Sequence, residues 1–139
     1  MEKFILLPVF VQVLLTSVVM ILMGRRRIRA AKNKEISITA FQTMDLRGAN
    51  EQVIATSRNF DNQFQMPMLY LFSVLFTLQL GLADIGYLVL GGCYVALRVL
   101  HTIVHIGSNT VRLRFNVFLL SCAVLWAIWL RLVWQALVA

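Results

Sequence analysis

Charge is what this chain has least of. Only 14% of its 139 residues are Asp, Glu, Lys or Arg, while 60% are hydrophobic. Soluble globular domains carry about a quarter charged residues and about half apolar ones, so an ordinary cytosolic domain is excluded. The same figures exclude intrinsic disorder. Cysteine is nearly absent: Cys93 and Cys122 both lie inside apolar runs, which leaves no disulfide framework and no activated protein thiol. Acidic residues number 6 against 13 basic ones, a net charge of +7. This excess does not indicate nucleic acid, because the cations crowd beside a long apolar segment, where membrane topology places them. No repeat or low-complexity tract interrupts the chain.

What is abundant is long apolar sequence. A hydrocarbon core of about 30 Å needs about 20 apolar residues as a helix, with every backbone polar group satisfied internally. Four spans are predicted, over residues 4–23, 58–83, 85–106 and 115–138. The second opens with a polar lead-in ahead of Pro67, and residues 36–55 read as an interfacial loop. The first run is too long for the core of a signal peptide, and arginines follow it instead of a small-residue cleavage site. The expected fold is therefore all-α, a single integral membrane four-helix bundle over residues 1–139. Arg25, Arg26, Arg27, Arg29, Lys32 and Lys34 follow the first span, and Arg112 with Arg114 precede the fourth. Both groups fall on one side, so the 24–57 loop is expected in the cytoplasm and both termini outside. Lys3 and Arg131 oppose this, but each lies near a span end and can snorkel. Short loops and the uncleaved first helix suit a bacterial inner membrane or an endoplasmic-reticulum-type membrane, and the compact loops favour the bacterial one.

The informative residues are polar ones in apolar surroundings. An arginine at a helix centre costs about 2.5–3.5 kcal/mol on insertion scales and persists when paired, hydrated or functional. Arg98 lies roughly 12 Å inside the cytoplasmic end of the third span. His101 and His105 follow on the same helical face, and an uninterrupted helix would carry Arg112 there too. Arg58, Asn62 and Gln65 form a second stripe at the cytoplasmic mouth of the second span. Asp61 is the obvious partner for a structural ion pair with Arg98. His101 and His105 have the spacing of a helical metal pair, but no third ligand shares their face and arginines surround them, so no metal is expected. Arginines, an Asn and a Gln at the mouth of a bundle suit a soluble anion with carboxylates and amides.

Two segments carry a family resemblance. Arg58-Asn59-Phe60-Asp61-Asn62-Gln63-Phe64-Gln65-Met66-Pro67 resembles the Arg-x-x-x-Asn-x-x-Glu stretch of the MAPEG family, the membrane-associated proteins of eicosanoid and glutathione metabolism. Arg98-Val99-Leu100-His101-Thr102-Ile103-Val104-His105-Ile106-Gly107 is similar to the third-helix segment of its prostaglandin E synthase branch. The resemblance implies a homotrimer with glutathione bound between subunits at the cytoplasmic side. It implies glutathione-holding roles for Arg58, Asn62, Gln65, His101 and the first-helix Arg27. The thiol-activating arginine corresponds to Arg114 in one branch and to Arg112 in another. Gln65 stands where the family has a glutamate, and His105 where it has a ligand-contacting tyrosine. The expected activity is a glutathione-dependent transferase or peroxidase whose small lipophilic substrate enters from the membrane lipids. The alternative is a non-catalytic lipid-binding or scaffold member of the same family. A channel is disfavoured, because no polar row runs the full membrane depth.

Overall fold

In the computed structural model, residues 2–138 are described; the first and last residues of the 1–139 domain lie outside the described residues. Among those described there is no strand. A 3₁₀ turn (Glu2–Ile5) leads into α1 (Leu6–Lys32), followed by the one-turn α2 (Ala40–Thr43), α3 (Glu51–Gln63), α4 (Met66–Gln79), α5 (Ile85–Ile106) and α6 (Val111–Val138). Three helical stretches, Glu2–Lys32, Ile85–Ile106 and Val111–Val138, are long and apolar enough to cross a membrane.

The second expected span is a broken helix, and Pro67 explains the break. Proline lacks an N–H, its ring collides with the carbonyl four residues earlier (here Gln63), and it biases the preceding residue away from helix. The Phe64 N–H closes α3 on the Asp61 carbonyl at 3.1 Å. Gln65 then leaves helical geometry, at φ −100° and ψ −103°, and α4 restarts with Pro67 in its first turn, where a missing N–H leaves nothing unpaired. The 14 residues of α4 reach about 21 Å, short of a bilayer core of about 30 Å. Together α3 and α4 take the place of one helix, giving the four-helix plan of α1, α3–α4, α5 and α6. The lead-in is longer than expected, because Asn50 caps α3 by accepting from the Val53 N–H at 3.0 Å.

At the other end of the bundle the α4–α5 turn is tight. Gly81 adopts a left-handed φ of +67°, which glycine takes without steric cost. Asp84 then caps α5, accepting from the N–H groups of Gly86 (2.8 Å) and Tyr87 (3.2 Å). Helix α5 then runs unbroken from Ile85 to Ile106. Helix α6 begins earlier than expected, at Val111, so Arg112 and Arg114 belong to its first turns rather than to a loop.

Helix α5 is central, packing along α6 and against α1 and α3. The main core joins Tyr70 and Val74 of α4, Tyr94 and Val95 of α5, and Leu125, Ile128 and Leu132 of α6. Lipid is as apolar as leucine, so close packing and interhelical hydrogen bonds hold such helices together rather than the hydrophobic effect. Both are present here. Gly91 admits the Tyr70 hydroxyl so closely that an added Cβ would lie 2.7 Å from it. Trp129 donates to the Leu69 carbonyl at 3.2 Å, and the Tyr87 hydroxyl to Gln135 Oε1 at 2.6 Å. Phe10, Trp126, Leu130 and Leu137 face outward and exposed, as a lipid-contacting belt requires. A small second core of Ala30, Ile36 and Val53, with Phe41 and Leu46 against it, fastens the loop before α3 to the end of α1.

Candidate functional site

At the end of the bundle that carries the basic cluster, α3, α5 and α6 frame a cleft of about 460 Å³. Helix α3 and the break after it contribute Arg58, Asp61, Asn62 and Gln65; α5 contributes His101 and His105; α6 contributes Arg114, with Phe115 and Phe118 as an apolar wall. The Pro67 break matters here. It ends α3 where Asn62 and Gln65 stand at the opening, so α3 and the break carry the polar residues of the cleft while α4 continues as an apolar helix. The two stripes expected from the sequence thus meet, and Arg114 completes the enclosure.

Arg114 is oriented from its own turn. Asn109, at a left-handed φ of 48°, accepts from Arg114 Nη1 at 2.6 Å and donates to Glu51 Oε1 at 3.2 Å. Asn109 and Glu51 were not singled out in the sequence; only a short polar turn between two apolar helices marked the place. Arg112 lies two residues away, about 200° round the helix, and it is exposed and outside the cleft. Because α5 ends at Ile106, Arg112 also does not extend the stripe of Arg98, His101 and His105.

Arg98 sits behind the cleft wall with 0% of its surface exposed. Its Nη2 donates to the Asn62 main-chain carbonyl at 3.2 Å, while Nε and Nη1 are enclosed without a partner. The expected Asp61–Arg98 ion pair does not form. Among the described residues the salt bridges are Asp45–Arg47 and Asp84–Arg131. The reason is angular: Asp61 is exposed on the open side of α3, whereas Arg98 meets the backbone where α3 ends. Arg27 is also elsewhere within the protomer. Its guanidinium donates to Ser57 Oγ at 2.9 and 3.2 Å and lies 5.5 Å from the Phe41 ring centre, clamping α1 to α3.

A buried amide network backs the cleft. Gln12 of α1 donates to Gln63 Oε1 at 3.0 Å, Gln63 Nε2 lies 3.2 Å from Asn59 Oδ1 and 3.3 Å from Thr102 Oγ1, and Asn59 Nδ2 lies 3.2 Å from His105 Nδ1. Of these, the lone Gln12 in an apolar run was the legible signal, since a polar side chain at membrane depth needs a partner. A second, apolar groove of about 370 Å³ runs between α4 and α6, lined by Met66, Leu69, Cys122, Leu125, Trp126 and Trp129 among others. It starts beside the cleft, with Met66 adjoining Gln65 and Cys122 one helical turn from Phe118.

Arg58 and Arg114 face the cleft with no carboxylate within 4.0 Å among the described residues. The arrangement offers two guanidinium groups, two amides and two imidazoles to a soluble anion, next to a surface suited to lipid. Comparison with curated proteins and with solved structures returns no match. The family model described as "MAPEG family" matches residues 5–134. An all-helical chain with membrane-length apolar helices and a polar cleft at its basic end, matched over nearly its whole length, is an integral membrane protein that belongs to the MAPEG family.

Proposed function

We propose that the chain is a membrane-bound, glutathione-dependent transferase or peroxidase acting on lipophilic electrophiles. The observation that carries this reading is the cleft itself, in which Arg58, Asn62, Gln65, His101, His105 and Arg114 converge from separate helices. Its donors suit glutathione: a carboxylate for Arg58, the ionised thiol for Arg114, and peptide amides for Asn62 and Gln65. Family membership supports the choice, because MAPEG proteins generally use glutathione. Glutathione supplies the reaction with a thiol that is nucleophilic and reducing when ionised.

The residues would then divide the work. Arg58, Asn62 and Gln65 hold the peptide. Arg114, its guanidinium braced by Asn109, stabilises negative charge on sulfur. Lowering a thiol of pKa near 8.5 by about two units needs about 2.7 kcal/mol of preference for the ionised form. A unit charge about 4 Å away at an effective dielectric near 20 provides roughly 4 kcal/mol, so one arginine suffices. The lipophilic substrate reaches the cleft along the α4–α6 groove. In this reading the basic end is cytoplasmic, both termini lie outside, and the protein works as a homotrimer whose neighbouring subunit closes the cleft.

The test is optical. Purified protein with glutathione is expected to show thiolate absorbance near neutral pH, cut at least tenfold in Arg114→Ala and retained in Arg112→Ala. The reading fails if neither that absorbance nor glutathione-dependent thermal stabilisation is found. A second reading, a non-catalytic lipid-binding or scaffold protein, draws on the apolar α4–α6 groove. It is favoured if lipid co-purifies and glutathione leaves melting unchanged.

A further inference from the structure

Asn59 does not line the cleft, has 0% of its surface exposed, and sits directly behind His105. Which of the two donates in their 3.2 Å contact is decided one step further back. Gln63 Nε2 lies 3.4 Å from the Asn59 main-chain carbonyl oxygen as well as 3.2 Å from Asn59 Oδ1. A main-chain carbonyl can only accept. The Gln63 amide is therefore held with its NH₂ group toward Asn59, and a flipped amide would press two oxygens together. Asn59 Oδ1 then accepts, and its own NH₂ group is left to donate to His105 Nδ1. Gln12, donating to Gln63 Oε1 at 3.0 Å, agrees with this direction. A neutral imidazole that accepts at Nδ1 carries its proton on Nε2. That nitrogen has no protein partner and is not among the enclosed orphan atoms, so it is open on the cleft wall. His101 differs: its enclosed Nδ1 has no partner, and nothing in the protomer selects its tautomer.

We propose that Asn59 is a positioning residue, and that the one-way amide chain Gln12–Gln63–Asn59 holds His105 as the Nε2–H tautomer. The cleft thereby presents a neutral N–H donor, beside Arg58 and Arg114, to an acceptor atom of the bound anion. This adds a hydrogen bond to the ligand without adding a third positive charge to the wall. The tautomer stands independently of what the cleft binds; only the affinity effect rests on the glutathione reading above.

The experiment is histidine ¹⁵N NMR on the full chain in nanodiscs, with His101→Gln used to assign His105, alongside glutathione binding. Wild type is expected to give the Nε2–H pattern at His105. Asn59→Asp, whose carboxylate can only accept, is expected to invert it to Nδ1–H and to raise the Kd for glutathione about tenfold. Thr102→Val, which removes a neighbouring contact but not the chain, is expected to keep the wild-type pattern. A wild-type Nδ1–H pattern overturns the proposal even if Asn59→Asp does not fold. An unchanged tautomer in Asn59→Asp overturns it as well, and an inverted tautomer with unchanged glutathione affinity overturns the role of the donor in binding. If the tautomer inverts while neither protein binds glutathione, Asn59 keeps its role and the proposed activity falls instead.

Discussion

At the scale of single residues, the cleft and the wall behind it are built from side chains that a bilayer penalises, and only some of them, such as Arg114 on Asn109 and His105 on Asn59, have a side-chain partner within the protomer. Arg98 is the extreme case: a fully enclosed guanidinium with one hydrogen bond, to the Asn62 carbonyl, and two unpartnered nitrogens. A buried charge without a counter-ion is costly, so an apolar replacement of similar volume removes a desolvation penalty that nothing in the protomer offsets. Arg98→Met is therefore expected to melt at the same temperature as wild type or higher in detergent, read by circular dichroism. A clear drop would show that a partner beyond the protomer neutralises Arg98. Much of the site was legible at this scale. Arg58, Asn62, Gln65, His101, His105 and Arg114 stand out because polarity at membrane depth is rare. Asn59 and Gln63 were not, since they share a polar segment with Arg58 and Asn62, and only packing shows which side chains turn inward.

Among helices, the decisive features are their ends. Pro67 divides one expected span into α3 and α4, and the start of α6 at Val111 separates Arg112 from Arg114 by helical rotation. Asp84 does comparable work at the opposite end, where it caps α5 and pairs with Arg131. Partial burial acts to raise the Asp84 carboxyl, but the Tyr87 N–H and the Arg131 guanidinium outweigh it and hold it below its ordinary value. A carboxyl lowered in the folded state contributes stability that is present above its unfolded pKa, near 3.9, and is lost as pH falls through the folded value. Asp84→Ala is expected to cost about 1 kcal/mol at neutral pH, the usual worth of an N-cap. Thermal melts of the two proteins should converge on acidification below pH 4. A gap that stays constant with pH would assign the loss to helix packing rather than to the carboxylate.

For the whole molecule, charge asymmetry and apolar surface set how it lies in a membrane. The basic cluster in the last turns of α1 and the pair at the start of α6 gather at the end of the bundle that holds the cleft. At the other end Arg131 is paired with Asp84, so its charge is locally neutralised. In the proposed orientation the basic end is cytoplasmic, so Ile38→Cys, in the exposed loop before α3, should react with a membrane-impermeant maleimide in inside-out vesicles. Labelling in intact cells would overturn the proposed orientation and place the cleft outside.

The sequence by itself determined the class of fold, the apolar helices and the polar stripes, because hydropathy and 3.6-residue periodicity are local properties that a bilayer reads directly. It also carried the family resemblance that the match over residues 5–134 bears out. Tertiary structure alone decided which arginine enters the cleft, that Asp61 and Arg98 do not pair, and that a buried amide chain stands behind His105. These depend on rotation about helix axes and on where each helix stops. A shift of one residue turns a side chain by 100°, and packing against neighbours fixes that angle where composition leaves it open.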